Sequence, residues 1–176
     1  MKTKNLVYIA VLAAIICIFS PWAVPIGPVP VTLATFAVYF TAAVSGWKRG
    51  GLAVLLFILI GGIGVPVFSS FQGGFQKLIG PTGGFILGYI PCSLITGWFV
   101  DKFEGRKWIY PAGMAAGTVV LYLLGTLWFV FVSGTGLVSA LYLCVLPFLV
   151  GDALKIIVAA FAAAAVRPLL KKHSFL

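Results

Sequence analysis

The chain has 176 residues, 62% of them hydrophobic and only 9% charged, with a mean hydropathy of +1.17. That balance excludes a water-soluble globular domain, and 15% aromatic residues in long apolar runs exclude a disordered coil despite 21 Gly and 10 Pro. The formal charge of +9 would suggest nucleic acid in a soluble protein; in so apolar a chain it concerns membrane topology, and no nucleic-acid partner is expected.

A crossing helix needs roughly 20 apolar residues, so this length admits about six crossings and no appended soluble domain. Apolar stretches run over 6–24, 31–47, 51–67, 85–100, 108–132 and 141–166, each broken by Pro, Gly or charge. The expectation is an all-α integral membrane protein of six transmembrane helices forming one domain over 1–176. Continuous apolarity, without period-two alternation, excludes a β-barrel.

Lys2 and Lys4 precede the first stretch. They also suit a cleavable secretory signal, but the apolar run is long and no A-x-A site follows Ser20, so it is read as the first span. Lys48 and Arg49 follow the second stretch, Lys102, Arg106 and Lys107 the fourth, and Arg167, Lys171 and Lys172 the sixth. Ten of the twelve basic residues thus share one side, which places both termini in the cytoplasm of a multi-pass plasma-membrane protein. Lys77 alone lies opposite, and Lys155 falls within the last span.

The connections on the basic side are short, and Asp101 and Glu104 there can pair with Lys102, Arg106 or Lys107. The outer connections are longer and nearly uncharged, one rich in Pro (Pro21, Pro25, Pro28, Pro30), the other in Gly (61–84). Such loops either cover a pocket near the membrane surface or serve as tight helix caps. Cys17, Cys92 and Cys144 lie in apolar runs without C-x-x-C spacing and read as packing residues. Trp22, Trp47, Trp98, Trp108 and Trp128 sit near span ends, as interfacial anchors do.

Asp152 is the one acidic residue inside a span, and Lys155 follows three positions later, on the same helix face. Charges at such depth are costly and usually face a substrate or ion path; the alternative is mutual neutralisation in a structural pair. Counted from Leu141, Asp152 sits about 16 Å along the helix, near the midplane; a later start at Pro147 would move it toward the outer loops. Tyr89 and Tyr122, deep in their spans, suit either core or pocket. His173, the only His, lies in the tail, so no metal centre forms around it. No acid/base pair or nucleophile constellation can be assembled, so neither catalytic residues nor a cofactor are expected. Gly73-Gly74-Phe75-Gln76-Lys77 lacks the G-x-x-x-x-G-K-[ST] pattern, so ATP coupling would need a partner. Ala10 and Ala14 form a small-x-x-x-small pair, as do Gly84 with Gly88 and Gly113 with Gly117; most such pairs serve internal packing.

Four segments together resemble one family: Pro28-Val29-Pro30-Val31-Thr32-Leu33, GGIGVPVF from Gly61, GPTGGF from Gly80 and PFLVGDALK from Pro147. They are similar to the BioY family of biotin transporters, the substrate-binding S components of energy-coupling factor (ECF) systems, over nearly the whole chain. The resemblance implies capture of biotin from outside, with Asp152 and Lys155 as polar ligands. Tyr89, Phe71 and Phe75 would be apolar walls, and the outer-loop motifs add Thr32, Gly73, Gly74, Thr82 and Gly83. It further implies docking through Ala10 and Ala14 onto a transmembrane coupling protein, with two cytoplasmic ATPases supplying energy. Many members carry Gln two positions after the residue corresponding to Thr32, where this chain has Ala34. A stand-alone secondary transporter using Asp152 as a proton carrier is the competing reading, though no repeat with broken helices is apparent. A polytopic enzyme would need more intramembrane polar groups.

Overall fold

A computed structural model of the chain describes residues 3–26 and 28–172; Lys2 and His173 lie outside the described residues. Helix α1 (Thr3–Phe19) buries Ile9, Leu12, Ala13 and Ile16 at helical spacing and leads into a short antiparallel hairpin. Its strands β1 (Ala23–Val24) and β2 (Val31–Thr32) pair Ala23 with Thr32 and Val24 with Val31. The Pro-rich connection is therefore a pinned turn at what we term the loop end of the bundle.

Helix α2 (Ala34–Gly62) reverses at Gly46, where φ is 79° and ψ is 177°. Residues eight apart in a straight helix are separated by about 12 Å. Here a Cβ on Gly50 would lie 2.8 Å from Ala42 Cα, so the limbs 34–45 and 47–62 fold back on one another. The sequence suggests the break at Lys48–Arg49–Gly50; the chain instead turns at Gly46, where a Cβ would strike the Asp101 carboxylate at 2.4 Å. Only glycine combines that positive φ with that contact.

Beyond Gly62 the chain leaves the helix, and Phe68 wedges edge-on against Phe57 with ring centroids 5.4 Å apart. A Cβ on Gly61 would collide with that ring, which explains the glycine pair opening the GGIGVPVF motif. Short α3 (Phe75–Ile79) follows, then α4 (Gly83–Lys102) and α5 (Ile109–Ser133). The last two approach through small residues: Cβ atoms on Gly84, Gly88 and Gly117 would meet Trp128, Leu121 and Cys92 within 3 Å. Trp128 is only partly buried, and its indole N–H donates to the Gly80 carbonyl at 2.9 Å, so it latches the entrance to α4 rather than only anchoring in the interface.

The last apolar stretch divides. Helix α6 (Leu137–Cys144) stops at Val145, whose φ of −123° and ψ of −56° leave helical geometry, and α7 (Leu146–Lys172) continues to the basic end. Among the described residues, four segments are long and apolar enough to cross a membrane: Ala34–Gly62, Gly83–Lys102, Ile109–Ser133 and Leu137–Lys172. The 17-residue α1 is apolar but shorter.

At the basic end, buried Arg167 donates to the Ala43 carbonyl at 2.9 Å and to Asp101 Oδ1 at 2.7 Å, while Asp101 Oδ2 accepts from Trp47 N–H at 3.1 Å. One guanidinium thereby ties α7, α4 and the α2 reversal. The two acids thus pair with α7 rather than with their sequence neighbours, Asp101 with Arg167 and Glu104 with Lys171, because the end of α7 lies beside the α4–α5 connection.

Candidate ligand-binding site

Because α7 begins at Leu146, Asp152 lies six residues along it, about 9 Å from its start. That position is on the loop-end side of the helix, nearer the hairpin and the Gly-rich connection than a start at Leu141 would put it. Asp152 is 3% exposed and has three hydrogen-bonding neighbours. Lys155 Nζ donates to Oδ1 at 2.8 Å, Thr35 Oγ1 donates to the same oxygen at 3.0 Å, and Tyr122 OH donates to Oδ2 at 2.6 Å. The Lys155 ammonium also donates to Thr35 Oγ1 at 3.1 Å and to the Thr32 carbonyl at 2.7 Å. Helices α2, α5 and α7 and the strand before α2 thus meet at one charge pair. Thr32 Oγ1 accepts from Ala34 N–H at 2.9 Å, which caps the start of α2 and fixes the Thr32 carbonyl toward Lys155.

Two adjoining cavities, each with about 30 Å³ of free volume, share Val29, Pro30, Thr32, Phe85 and Tyr89 in their walls. One reaches down to Asp152, Lys155, Thr35, Tyr122 and Phe148; the other extends under the loops to Ser20, Phe68, Ser69 and Thr82. Together they make a cleft with an ionic floor, aromatic walls and a roof of loop segments. Ligand pockets for small organic molecules usually span roughly 300–1,000 Å³, so admission of a molecule of that class requires the roof to move outward.

Of the residues singled out from the sequence, Asp152, Lys155, Tyr89, Thr32 and Thr82 line this cleft. Phe71 and Phe75 are 59% and 67% exposed and lie outside it; Phe71 packs edge-on against Trp22 instead. Gly73 and Gly83 are sites of close backbone approach, where a Cβ would meet the Val65 and Leu78 carbonyl oxygens at 2.3 and 1.8 Å. Gly74, at φ +96°, donates its N–H to the Gly61 carbonyl at 2.7 Å and starts α3. These glycines shape the roof. Lys77 donates to Gln72 Oε1, and partial burial lowers its pKa from the ordinary lysine value.

Thr35 and Tyr122 are contacts that sequence reasoning did not assign. A Tyr in mid-span signals either core or pocket, and nothing local distinguishes the two; Thr35 reaches Asp152 only because the first limb of α2 packs against α7, where Arg167 also donates to the Ala43 carbonyl. Where many members of the resembled family carry Gln, Ala34 is buried, and the polar contact beside it comes from the adjacent Thr35.

On α1, Ala10 and Ala14 face outward in a stripe with Leu6, Val7, Val11 and Ile18, all exposed, while the opposite face packs into the bundle. Among the described residues no cluster of His, Cys, Asp and Glu could hold a metal ion.

The chain is 37% identical over 163 residues to the biotin transporter BioY of Thermotoga maritima, covering 91% of this chain and 94% of the relative. It is 37% identical over 177 residues to biotin transporter BioY2 of Lactococcus lactis, covering 99% and 96%. A crystal structure of the S component for biotin from an ECF-type ABC transporter superimposes with a TM-score of 0.85 at 28% identity, covering 97% of this chain and 92% of that one. With the BioY family profile matching residues 1–172, the chain belongs to the BioY family.

Proposed function

We propose that this chain is a biotin-binding membrane subunit that captures the vitamin at the loop end and releases it to the cytoplasm as part of an ECF transporter. The observation that carries the reading is the Asp152–Lys155 pair, buried at the floor of a cleft roofed by the two outer loops. Biotin offers ureido N–H donors, a ureido carbonyl, a valerate carboxylate and an apolar thiophane ring. Asp152 accepts from the ureido N–H groups. Lys155 donates to the carbonyl or pairs with the carboxylate, and Tyr89, Phe85 and Phe148 pack on the ring and chain.

In this reading the two limbs of α2 count as separate crossings and α6 and α7 together as one, giving six, with both termini and the basic end in the cytoplasm. The outward stripe containing Ala10 and Ala14 docks on a transmembrane coupling protein, through which two ATPases drive release.

The test is biotin binding by the detergent-purified chain, measured calorimetrically beside thiamine, riboflavin and desthiobiotin. Submicromolar, biotin-selective binding without any ATPase supports the reading. A folded sample that binds none of them refutes it and leaves a proton-coupled carrier of another solute to be tested.

A further inference from the structure

A second cavity opens at the basic end, between the α4–α5 connection and the last turns of α7. It holds about 260 Å³ of free volume, and its walls include Arg106, Lys107, Tyr110, Arg167 and Lys171, with Glu104 the one acidic member. Arg167 is 6% exposed, and although its two terminal nitrogens are engaged, its Nε has no acceptor. Glu104 is held by Lys171 and Arg167 by Asp101, which leaves Arg106 and Lys107 as the excess charge around the cavity among the described residues, with the Arg167 Nε–H still without an acceptor. Topology determinants and the favourable interaction of cations with a helix C-terminus explain basic residues at this end. Neither requires their convergence on a cavity with a buried guanidinium in its wall.

The shape of α7 identifies the source of the anion. Ala164, Arg167, Pro168 and Lys171 line the cavity and follow i, i+3, i+4, i+7 spacing, hence one helix face. Continued toward the middle of the helix, that side carries Phe161 at 75% exposure and Ile157 at 51%. A soluble phosphate has no use for such an apolar rail, whereas the acyl chains of a lipid would lie along it.

We propose that this cavity binds the phosphate of an anionic phospholipid headgroup, with Arg106 and Lys107 supplying the charge, the unpartnered Nε–H of Arg167 a donor in the wall, and the acyl chains laid along α7. The shared chemistry is a phosphate oxyanion, and the chosen source is the cytoplasmic leaflet.

The experiment measures thermal stabilisation of the purified chain by dioctanoyl phosphatidylglycerol, with dioctanoyl phosphatidylcholine and inorganic phosphate as parallel arms. The variants are Arg106→Gln/Lys107→Gln and, as a control of equal character at the same end but outside the cavity, Lys48→Gln. Retained biotin binding verifies that each variant is folded. Saturable stabilisation by phosphatidylglycerol alone is expected, weakened about 25-fold in the double variant, since each basic residue near an anionic lipid contributes about a factor of five. The control should not change it. Equal stabilisation by the two lipids, undiminished binding in the double variant, or an effect reproduced by inorganic phosphate would each overturn the proposal.

Discussion

Replacing Asp152 with Asn removes one charge while keeping shape, and the structure says what the remaining groups then lack. The Lys155 side chain is 12% exposed and loses the carboxylate 2.8 Å away, while Thr35 and Tyr122 compete for the single amide acceptor that remains. Stranding one member of a buried ion pair costs about 3–5 kcal/mol of stability. A charge-assisted hydrogen bond to the ligand contributes about 1.5–3 kcal/mol, so losing one should raise the biotin Kd about 10- to 150-fold. Adding Lys155→Met separates the two effects. The double variant again has no unpaired charge and should regain much of the thermal stability lost by Asp152→Asn, yet bind biotin no better. Calorimetry on detergent-purified protein gives the affinity, and unfolding followed by tryptophan fluorescence gives the stability. If the folded double variant binds biotin as the wild type does, the pair is a structural neutralisation, and its role as ligand is refuted.

Tyr122→Phe deletes only the hydroxyl that donates to Asp152 Oδ2, and titration should show biotin affinity falling about tenfold or more with the fold intact. Ala10→Trp or Ala14→Trp places bulk on an exposed face of α1, so biotin binding should be unchanged while copurification with the coupling protein is lost. Gly46→Ala combines a positive φ with a collision against the Asp101 carboxylate, whereas Gly64→Ala has positive φ and open space. Strain alone costs about 1–3 kcal/mol, so thermal unfolding should show Gly46→Ala as clearly the more destabilised of the two; equal losses would show that the contact with Asp101 is unimportant.

The bundle was readable because its solvent is lipid: runs at Ala34, Gly83 and Ile109 announce themselves by apolarity alone. So was the pairing of Asp152 with Lys155, since three-residue spacing within a span puts both on one helix face. Turn positions were less legible. The reversal at Gly46 instead of Gly50 depends on Asp101, 55 residues away, whose carboxylate occupies the space a side chain would need. The start of α7 at Leu146 depends on a departure from helical geometry at Val145 that hydropathy does not register. The glycines of the outer loop illustrate a third limit: composition reveals freedom of backbone approach, but not whether the approaching partner is a ligand or, as at Gly73 and Gly83, another stretch of the same chain. Thr35 and Tyr122 join the candidate site only through the packing of α2 and α5 against α7, which no local signal in the sequence records.

An ammonium group has three N–H donors, and at Lys155 all three are already spoken for, by Asp152, by Thr35 and by the carbonyl of Thr32. An incoming acceptor therefore makes no additional bond there; it trades places with an incumbent. The replaceable incumbent is the Thr32 carbonyl, because the other two are side chains of the site itself, whereas this one belongs to the hairpin. In the proposed reading, occupancy and loss of the Lys155–Thr32 bond become a single exchange, and the affinity for biotin is the difference between two hydrogen-bonded states rather than the strength of either. A weaker internal competitor would raise the affinity without adding a contact to the ligand.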